Sequence, residues 1–281
     1  MTFFTYLSLP AVQHALVAAT LVAISSGIIG PFVIMRGMSF AVHGTSELAF
    51  TGAAAGLLVA NDAVSGALIG ALFVALLIGL LGNTERERDS SIGVILAAGL
   101  GLGVLLLSFY RGFASAATNI LFGDIFGVSM SQIVLLVSIA AATLLIMSWI
   151  YRPLLFASVD HVVAQAMGVP LRIVGLVFLF LLALTVTEAA QIVGTLLVLS
   201  LAISPAAAAV RWTVHPRNLI IISILLALLA ADGGLILSLL VPVLKPSVCI
   251  TGISFTTYII ARYLTPHRSH RTPSHVHEEA V

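Results

Sequence analysis

The chain has 281 residues, of which 60% are hydrophobic and only 8% are charged, and its mean hydropathy is +1.18. These values exclude a soluble globular domain and indicate a protein that crosses a membrane many times. The net charge of +1 and the single Cys249 offer no argument for nucleic-acid binding or for a disulfide within the chain.

Nine long apolar runs follow one another along the chain, and each is close to the ~20 residues that a helix needs to cross a bilayer. The runs are too long for the alternating strands of a membrane barrel, so we predict an all-α, polytopic membrane protein. The predicted spans are 11–35, 40–60, 63–82, 91–110, 130–151, 171–188, 191–211, 218–241 and 247–263. An eight-span arrangement, in which one run lies flat or re-enters the membrane, is the alternative.

The basic residues predict the orientation of these spans. With loops assigned to alternate sides, Arg111 and Lys245 fall on one side and the other ten of the 12 Lys and Arg residues fall on the opposite side. Loops on the cytoplasmic side carry the excess of Lys and Arg. We therefore predict that the N-terminus lies outside the cell and the C-terminus in the cytoplasm.

His43 and Glu47 lie four residues apart in the second predicted span, so a helix projects both side chains from one face. Ionisable side chains are costly in a bilayer and by default mark a substrate or ion path. An imidazole and a carboxylate are also ligands that zinc, manganese or iron accept. The alternative is a structural pair in which the two side chains bond to each other or to a neighbouring helix.

The insert between the fifth and sixth predicted spans, residues 152–172, has no strong apolar run. It is predicted to form a short helix that ends near Gly168 and Pro170 on the inner surface. Such a helix could dock a cytoplasmic motor, or it could be a plain amphipathic connector.

Two further acidic residues belong to apolar runs. Glu188 lies where the sixth and seventh predicted spans almost touch, and it is either an outer-gate ligand or an interfacial carboxylate that reaches water. Asp232 precedes Gly233 and Gly234, which favour close backbone packing or a local break. A structural hydrogen bond is the expected role of Asp232.

The C-terminal tail, residues 267–281, is polar and rich in histidine, and we predict that it is disordered. Histidine-rich tracts can bind metal, which would suit a cytoplasmic sensor or buffer for zinc, although scattered histidines without a role are an equal alternative. The tail histidines are His267, His270, His275 and His277.

Four separated stretches of the chain resemble the membrane subunit of bacterial ABC importers for zinc and manganese. They are FVIMRGMSFAVHGTSELAFTG, NILFGDIFGVSMSQ, FASVDHVVAQAMGVP and IVGTLLVLSLAISPAAAAV. The resemblance implies that residues 1–266 form a transmembrane permease domain in the bacterial plasma membrane. It also implies a coupling helix at about 154–168, with Asp160, Ala164 and Gly168 coupling the permease to its ATPase.

The same resemblance implies the partners of the chain. They are a second copy of this subunit, two copies of a cytoplasmic ATPase, an extracellular metal-binding protein and membrane lipid. The chain has no GxxxxGK[ST] phosphate loop, so we predict a transport subunit without enzyme activity and without a covalently bound cofactor.

The second span of this family usually contains Gly-Asp-Ala-x-Ser-His, and its acidic and imidazole positions fall on His43 and Glu47 with the residue types exchanged. Glu188 replaces a residue that is commonly apolar, which makes it a further candidate ligand. We therefore predict an ATP-driven importer of a divalent transition metal, Zn²⁺ before Mn²⁺ or iron. A proton- or ion-coupled secondary transporter is the alternative, and an intramembrane hydrolase is disfavoured because no matched nucleophile and base are found.

Overall fold

The computed structural model describes residues 8–81, 85–110, 123–195, 198–241 and 243–264. All regular structure in this part of the chain is helical, as predicted. The α-helices are α1 (Pro10–Met35), α2 (Ser39–Ala60), α3 (Ala63–Leu81), α4 (Glu85–Phe109), α5 (Met130–Val159), α6 (His161–Ala166), α7 (Leu171–Val193), α8 (Val198–Ala202), α9 (Ser204–Trp212), α10 (Pro216–Leu240) and α11 (Pro246–Leu264). A 3-10 turn, Ile125–Gly127, precedes α5.

Most of these helices have the length and apolarity of a membrane span. Within the described residues, 7 helices meet both conditions, namely α1, α3, α4, α5, α7, α10 and α11. Helix α2 has 22 residues, but its ionisable side chains make it less apolar. Helices α8 and α9 share the shorter apolar stretch Val198–Trp212. The prediction of nine spans therefore depends on whether α2 and the α8–α9 segment each cross the bilayer.

The predicted boundary between the sixth and seventh spans is wrong. Helix α7 does not end at Glu188 but continues to Val193, and it stops at Gly194, whose φ is 95°. The following apolar run is divided into α8 and α9 near Ile203. Pro205 lies just beyond this division, and proline cannot donate the backbone hydrogen bond that would continue the preceding helix.

Facing residues show that α1 runs antiparallel to α10, the helix with which it packs most extensively. Thr20 contacts Asp232 of α10, and a Cβ at Gly27 would meet Ile224 of the same helix. The bundle therefore has two distinguishable ends. We name the first the arginine end, where α1, α9 and α11 terminate and α7 and α10 begin, beside Arg36, Arg172, Arg211, Arg217 and Arg262. We name the second the Asp62 end, which also carries Lys245.

Helix α2 lies inside the bundle, packed against α3, α4 and α7. Gly52 and Gly56 form a GxxxG motif in α2, and Gly66 and Gly70 form another in α3. A Cβ at Gly66 would lie 2.6 Å from the Gly56 Cα atom and would also meet the Gly52 carbonyl oxygen. The two helices are therefore joined by direct backbone contact, with no side chains between them at these positions.

The turn between α2 and α3 is made by Asn61 and Asp62. Asn61 has a φ of 54°, a left-handed conformation that asparagine adopts more readily than most residues. The Asp62 carboxylate accepts hydrogen bonds from the Val64 N–H, at 3.0 Å, and from the Ser65 hydroxyl. The Ser65 hydrogen bond lowers the pKa of Asp62, which keeps negative charge at the start of α3, where the helix dipole favours it.

Candidate metal-transport site

The predicted pair, His43 and Glu47, lies on the buried helix α2. Glu47 is only 6% exposed, and the Nδ1 atom of His43 is buried without a hydrogen-bond partner. The Ser46 hydroxyl donates to the His43 backbone carbonyl at 2.8 Å, and the Phe40 ring lies 6.3 Å from the imidazole, centroid to centroid. Since Nδ1 is unpartnered, no hydrogen bond through that atom consumes its capacity to bind an ion.

Within the described residues of one protomer, few other side chains are placed to bind the same ion as His43 and Glu47. The described residues contain no group of three or more His, Cys, Asp or Glu side chains placed to hold a metal ion. The two side chains of the pair therefore leave coordination positions for water or for groups from another molecule. The tail histidines, His267, His270, His275 and His277, lie outside the residues that the structure describes.

Glu188 is not an interfacial carboxylate. It lies within α7, its side chain is 0% exposed, and neither carboxylate oxygen has a hydrogen-bond partner by distance and angle. The predicted contact with water is therefore wrong, whereas the prediction of a ligand stays open.

Asp232 makes the structural hydrogen bond that we expected. Its carboxylate oxygens accept from the Thr20 hydroxyl at 3.2 and 3.3 Å. Of the two alternatives predicted for Gly233 and Gly234, the local break does not occur, because α10 continues past this position. The predicted close packing is confirmed, because a Cβ at Gly234 would lie 2.6 Å from the backbone nitrogen of Ile250.

A cavity of about 230 Å³ opens between α2, α3, α5 and α7 near the Asp62 end. Its wall is largely apolar and includes Ala49 and Ala53, two and six residues beyond Glu47 on α2. Its polar lining residues are Asp124, Gln132, Thr187, Gln191 and Thr195. The sequence reasoning did not identify this cavity, because its walls come from separate parts of the chain.

The segment before α5 closes over the end of α7. Gly123, with a φ of 76°, approaches so closely that a Cβ there would meet the Ile192 carbonyl oxygen and would lie 2.7 Å from the Gly194 nitrogen. The Asp124 N–H donates to the Gln191 carbonyl at 3.4 Å. One wall of the cavity is therefore held against α7 by backbone contacts that only glycine permits.

The predicted coupling segment contains a short helix, α6, which is narrower than the predicted range 154–168 because residues up to Val159 belong to α5. Asp160 begins α6, and its carboxylate accepts from the Val162 and Val163 N–H groups at 2.9 and 3.0 Å. Gly168, with a φ of 78°, ends it in a Schellman turn, in which the Val169 N–H donates to the Ala164 carbonyl.

The exposed surface of α6 differs from the one we predicted. Ala164 is buried, so its side chain faces the protein. The apolar side chains that face outward most are those of Val162 and Met167, which are 78% and 63% exposed, and Val163 is partly exposed beside them. Asp160 and Gly168 shape the ends of the helix, whereas Val162 and Met167 provide the surface that a partner could contact.

Comparisons with known proteins identify relatives over almost the whole chain. The profile of the ABC 3 transport family matches residues 8–265. A manganese transport system membrane protein of Halalkalibacterium halodurans is 32% identical over 269 residues, which cover 95% of this chain and 92% of the relative. A manganese import system permease protein of Streptococcus parasanguinis is 31% identical over 258 residues, which cover 90% of each chain.

A solved structure shares the fold as well. The chain superposes on a chain of PsaBC from Streptococcus pneumoniae, solved in complex with a Fab, with a TM-score of 0.84 and 28% sequence identity. The match covers 94% of this chain and 95% of the other. The names of the relatives concern manganese, so our expectation of zinc before manganese finds no support among them.

Proposed function

The chain belongs to the ABC 3 transport family, and on this premise we propose that it moves manganese through a path in which His43 and Glu47 contact the ion. Membership makes the chain an integral membrane protein of the bacterial plasma membrane and the permease subunit of an ABC metal importer. A permease of this kind transports the ion without itself hydrolysing ATP. The secondary-transporter alternative loses its basis with this membership.

The observation that carries the proposal is the burial of an ionisable pair on an interior helix. Glu47 is nearly inaccessible, and the Nδ1 atom of His43 lacks a partner although it is buried. Unpaired polar groups in a hydrocarbon interior are costly, and a divalent cation compensates both of them at once. The four-residue spacing places the two Cβ atoms about 5–6 Å apart, so that one ion reaches both side chains.

The choice of manganese rests on the relatives and on the ligand chemistry. Both relatives described above are named for manganese. Carboxylate oxygens suit manganese, whereas additional thiolate or imidazole ligands would favour zinc. Glu47 and Glu188 are the buried carboxylates of the described residues, and His43 supplies an imidazole on the same helix as Glu47.

The proposed assembly follows from the family. A cytoplasmic ATPase dimer binds the arginine end through α6, a second copy of this chain completes the permease, and an extracellular solute-binding protein delivers the ion at the Asp62 end. The excess of arginine supports this orientation, with the N-terminus outside and nine crossings. The two ligand types are exchanged relative to the usual family order, so we carry over the positions of the site residues, 43 and 47, and not their residue types.

Metal uptake by a charge-neutralised variant tests the function. In cells that lack their own manganese uptake and express this chain with its ATPase and binding protein, wild type accumulates radioactive Mn²⁺. Glu47→Gln keeps the size of the side chain but removes the charge that offsets a divalent cation, so we expect uptake to fall about tenfold or more. Asp232→Asn is the matched control, because Asp232 is already hydrogen-bonded to Thr20.

The amount of each variant in the membrane is measured alongside uptake. Normal Mn²⁺ uptake by Glu47→Gln at matched expression would exclude coordination by this pair. A loss of uptake in both Glu47→Gln and Asp232→Asn would point to general damage instead of a ligand role.

A further inference from the structure

A groove of about 520 Å³ runs along the surface of the bundle between α10 and α11. On α11 its lining extends from Val248, near the Asp62 end, to Ile260, about 18 Å further along the helix. Leu229 and Leu237 line it on α10. The hydrocarbon core of a bilayer is about 30 Å thick, so the groove has about the depth of one leaflet.

The lining of the groove needs no polar partner. Thr256 and Thr257 contribute to it, but their hydroxyls donate to the carbonyls of Gly252 and Ser254 at 2.7 and 2.8 Å. Gly252 itself and Cys249, which packs as a small apolar residue, also line the groove. Because the hydroxyls are already satisfied within α11, the groove favours an apolar occupant.

The groove is too narrow for a helix. Helices α10 and α11 are in close contact, since a Cβ at Gly234 would lie 2.6 Å from the Ile250 nitrogen. The volume spread over its length gives a mean cross-section of about 30 Å², whereas a helix about 10 Å across needs about 80 Å². An extended hydrocarbon chain therefore fits the groove, and a helix of a second copy of this chain does not.

A hollow of about 310 Å³ adjoins the groove at the Asp62 end, and Leu244 lines both. Phe126, Ser238 and Lys245 also line the hollow. Lys245 immediately precedes α11, at the positive end of the helix dipole. Its ammonium group has three hydrogen-bond donors, so it can bind a phosphate in addition to any contact within the chain. The apolar groove therefore ends beside a cation.

We propose that the groove and the adjoining hollow bind one phospholipid with an anionic headgroup. Its phosphate contacts Lys245, and one of its acyl chains lies between α10 and α11. The polarity of the site follows that of a lipid, with a cation at the membrane surface and an apolar lining for about one leaflet below it. A lysine near a membrane surface attracts anionic headgroups. The site does not involve His43 or Glu47, so it does not rest on the proposed transport of manganese.

Filling the groove tests whether an acyl chain occupies it. Gly252 lines the groove, and no atom of the described residues lies within 4 Å of a Cβ there, so Gly252→Leu fills the groove without a clash. Gly101→Leu in α4 is the matched control, because a Cβ at Gly101 also has open space around it. The full-length chain is released from phosphatidylglycerol nanodiscs, and native mass spectrometry counts the lipid it retains. Wild type and Gly101→Leu each retain one phosphatidylglycerol more per chain than Gly252→Leu does.

Neutralising Lys245 tests the headgroup contact. In nanodiscs of mixed phosphatidylglycerol and phosphatidylcholine, wild type retains the anionic lipid in preference to the zwitterionic one. Lys245→Gln lowers this preference about fivefold, because it removes one charge near the membrane surface. Lys245→Arg keeps the charge and preserves the preference.

The possible outcomes distinguish a lipid from other occupants. Equal lipid retention by wild type and Gly252→Leu overturns the proposal, and so does a preference for phosphatidylglycerol that Lys245→Gln leaves unchanged. Conversion of a dimer to a monomer by Gly252→Leu, without loss of lipid, assigns the groove to a second copy of this chain instead. Thermal unfolding midpoints show that each variant is folded. If Gly252→Leu does not fold, Thr256→Leu fills the groove from the next turn of α11 and is expected to lose the same lipid.

Discussion

At the scale of single residues, His43 and Glu47 combine one imidazole and one carboxylate on adjacent turns of α2. The order of the two groups is the reverse of the usual family order, but an ion placed between side chains four residues apart contacts both in either order. To bind a divalent cation, one ligand of the pair must carry negative charge. The other ligand must have no competing hydrogen-bond partner. The Nδ1 atom of His43 meets the second condition.

Exchanging the two ligands tests this interpretation. The double variant His43→Asp, Glu47→His keeps one group of each type and is expected to retain part of the Mn²⁺ uptake. His43→Asp alone leaves two carboxylates and Glu47→His alone leaves two imidazoles, so each single variant should transport Mn²⁺ less well than the double variant. Uptake of Mn²⁺ and Zn²⁺ in the same cells is the measurement. A double variant that shows the product of the two single losses would exclude coupling between the positions.

Glu188 shows what residue-level sequence reasoning misses. A charge next to a predicted boundary is ordinarily interfacial, and that statistical expectation placed Glu188 at the membrane surface. Whether α7 ends there depends on Gly194, which stops the helix six residues later. The burial of Glu188 comes from helices packed against α7 that are distant in sequence, so no periodicity in α7 could reveal it.

At the scale of helices, most spans were predicted closely because charged residues and turns bound the apolar runs sharply. Helices α1, α2, α3, α10 and α11 begin and end within about two residues of the predicted limits. The coupling helix was predicted too long because residues 152–172 were treated as one insert between spans, whereas α5 continues through Pro153 to Val159. The backbone contact between α2 and α3 had a sequence signal, the paired GxxxG motifs, that was not used.

The glycine contact between α2 and α3 predicts a large difference between two glycine substitutions. Gly66→Ala places a methyl group against the Gly56 Cα atom and the Gly52 carbonyl, and backbone atoms cannot rotate away. We expect a destabilisation of about 1–3 kcal/mol. Gly101→Ala in α4 is the control, because no atom lies within 4 Å of a Cβ there. Thermal unfolding in detergent measures both, and equal midpoints for the two variants would contradict the packing.

Helix α6 provides a test of the coupling between the permease and its ATPase. Gly168 has a φ of 78° and open space around it, so a side chain there is opposed by backbone conformation and not by a clash within the chain. A left-handed conformation costs an ordinary residue about 1–2 kcal/mol, whereas asparagine adopts it more easily. We expect Gly168→Trp to uncouple ATP hydrolysis from uptake and Gly168→Asn to preserve coupling.

The assembled transporter in liposomes provides the measurement for Gly168. The ratio of Mn²⁺ transported to ATP hydrolysed should fall in Gly168→Trp while the permease still inserts. An unchanged ratio would separate α6 from the motor.

At the scale of the whole molecule, the two ends of the bundle differ in charge, and this difference predicts the orientation. Arg36, Arg172, Arg211, Arg217 and Arg262 are among the arginines at the arginine end, whereas Lys245 lies at the Asp62 end. The direction of each helix comes from contacts between helices, which the sequence alone does not contain. The distribution of basic residues along the sequence and the helix directions in the structure place the same residues on the same side of the membrane.

Cysteine labelling tests the orientation. In a Cys249→Ala background, which removes the buried native thiol, single cysteines are placed at Thr2, Thr84 and Ser269. A membrane-impermeant maleimide added to sealed cells should modify only the cysteine at Thr2, because the positive-inside rule places the other two in the cytoplasm. Permeabilised cells serve as the control for reactivity, and labelling at Thr84 in sealed cells would reverse the orientation.

The direct backbone contact between α2 and α3 also limits how the permease can move during its cycle. Helices without side chains between them at the contact cannot slide past one another without breaking close packing, so α2 and α3 form one rigid body. Any rotation that exposes His43 and Glu47 to one side of the membrane must carry α3 with it. Gly37, whose φ of 60° marks the break between α1 and α2, is the position at which we expect the backbone to absorb such a rotation.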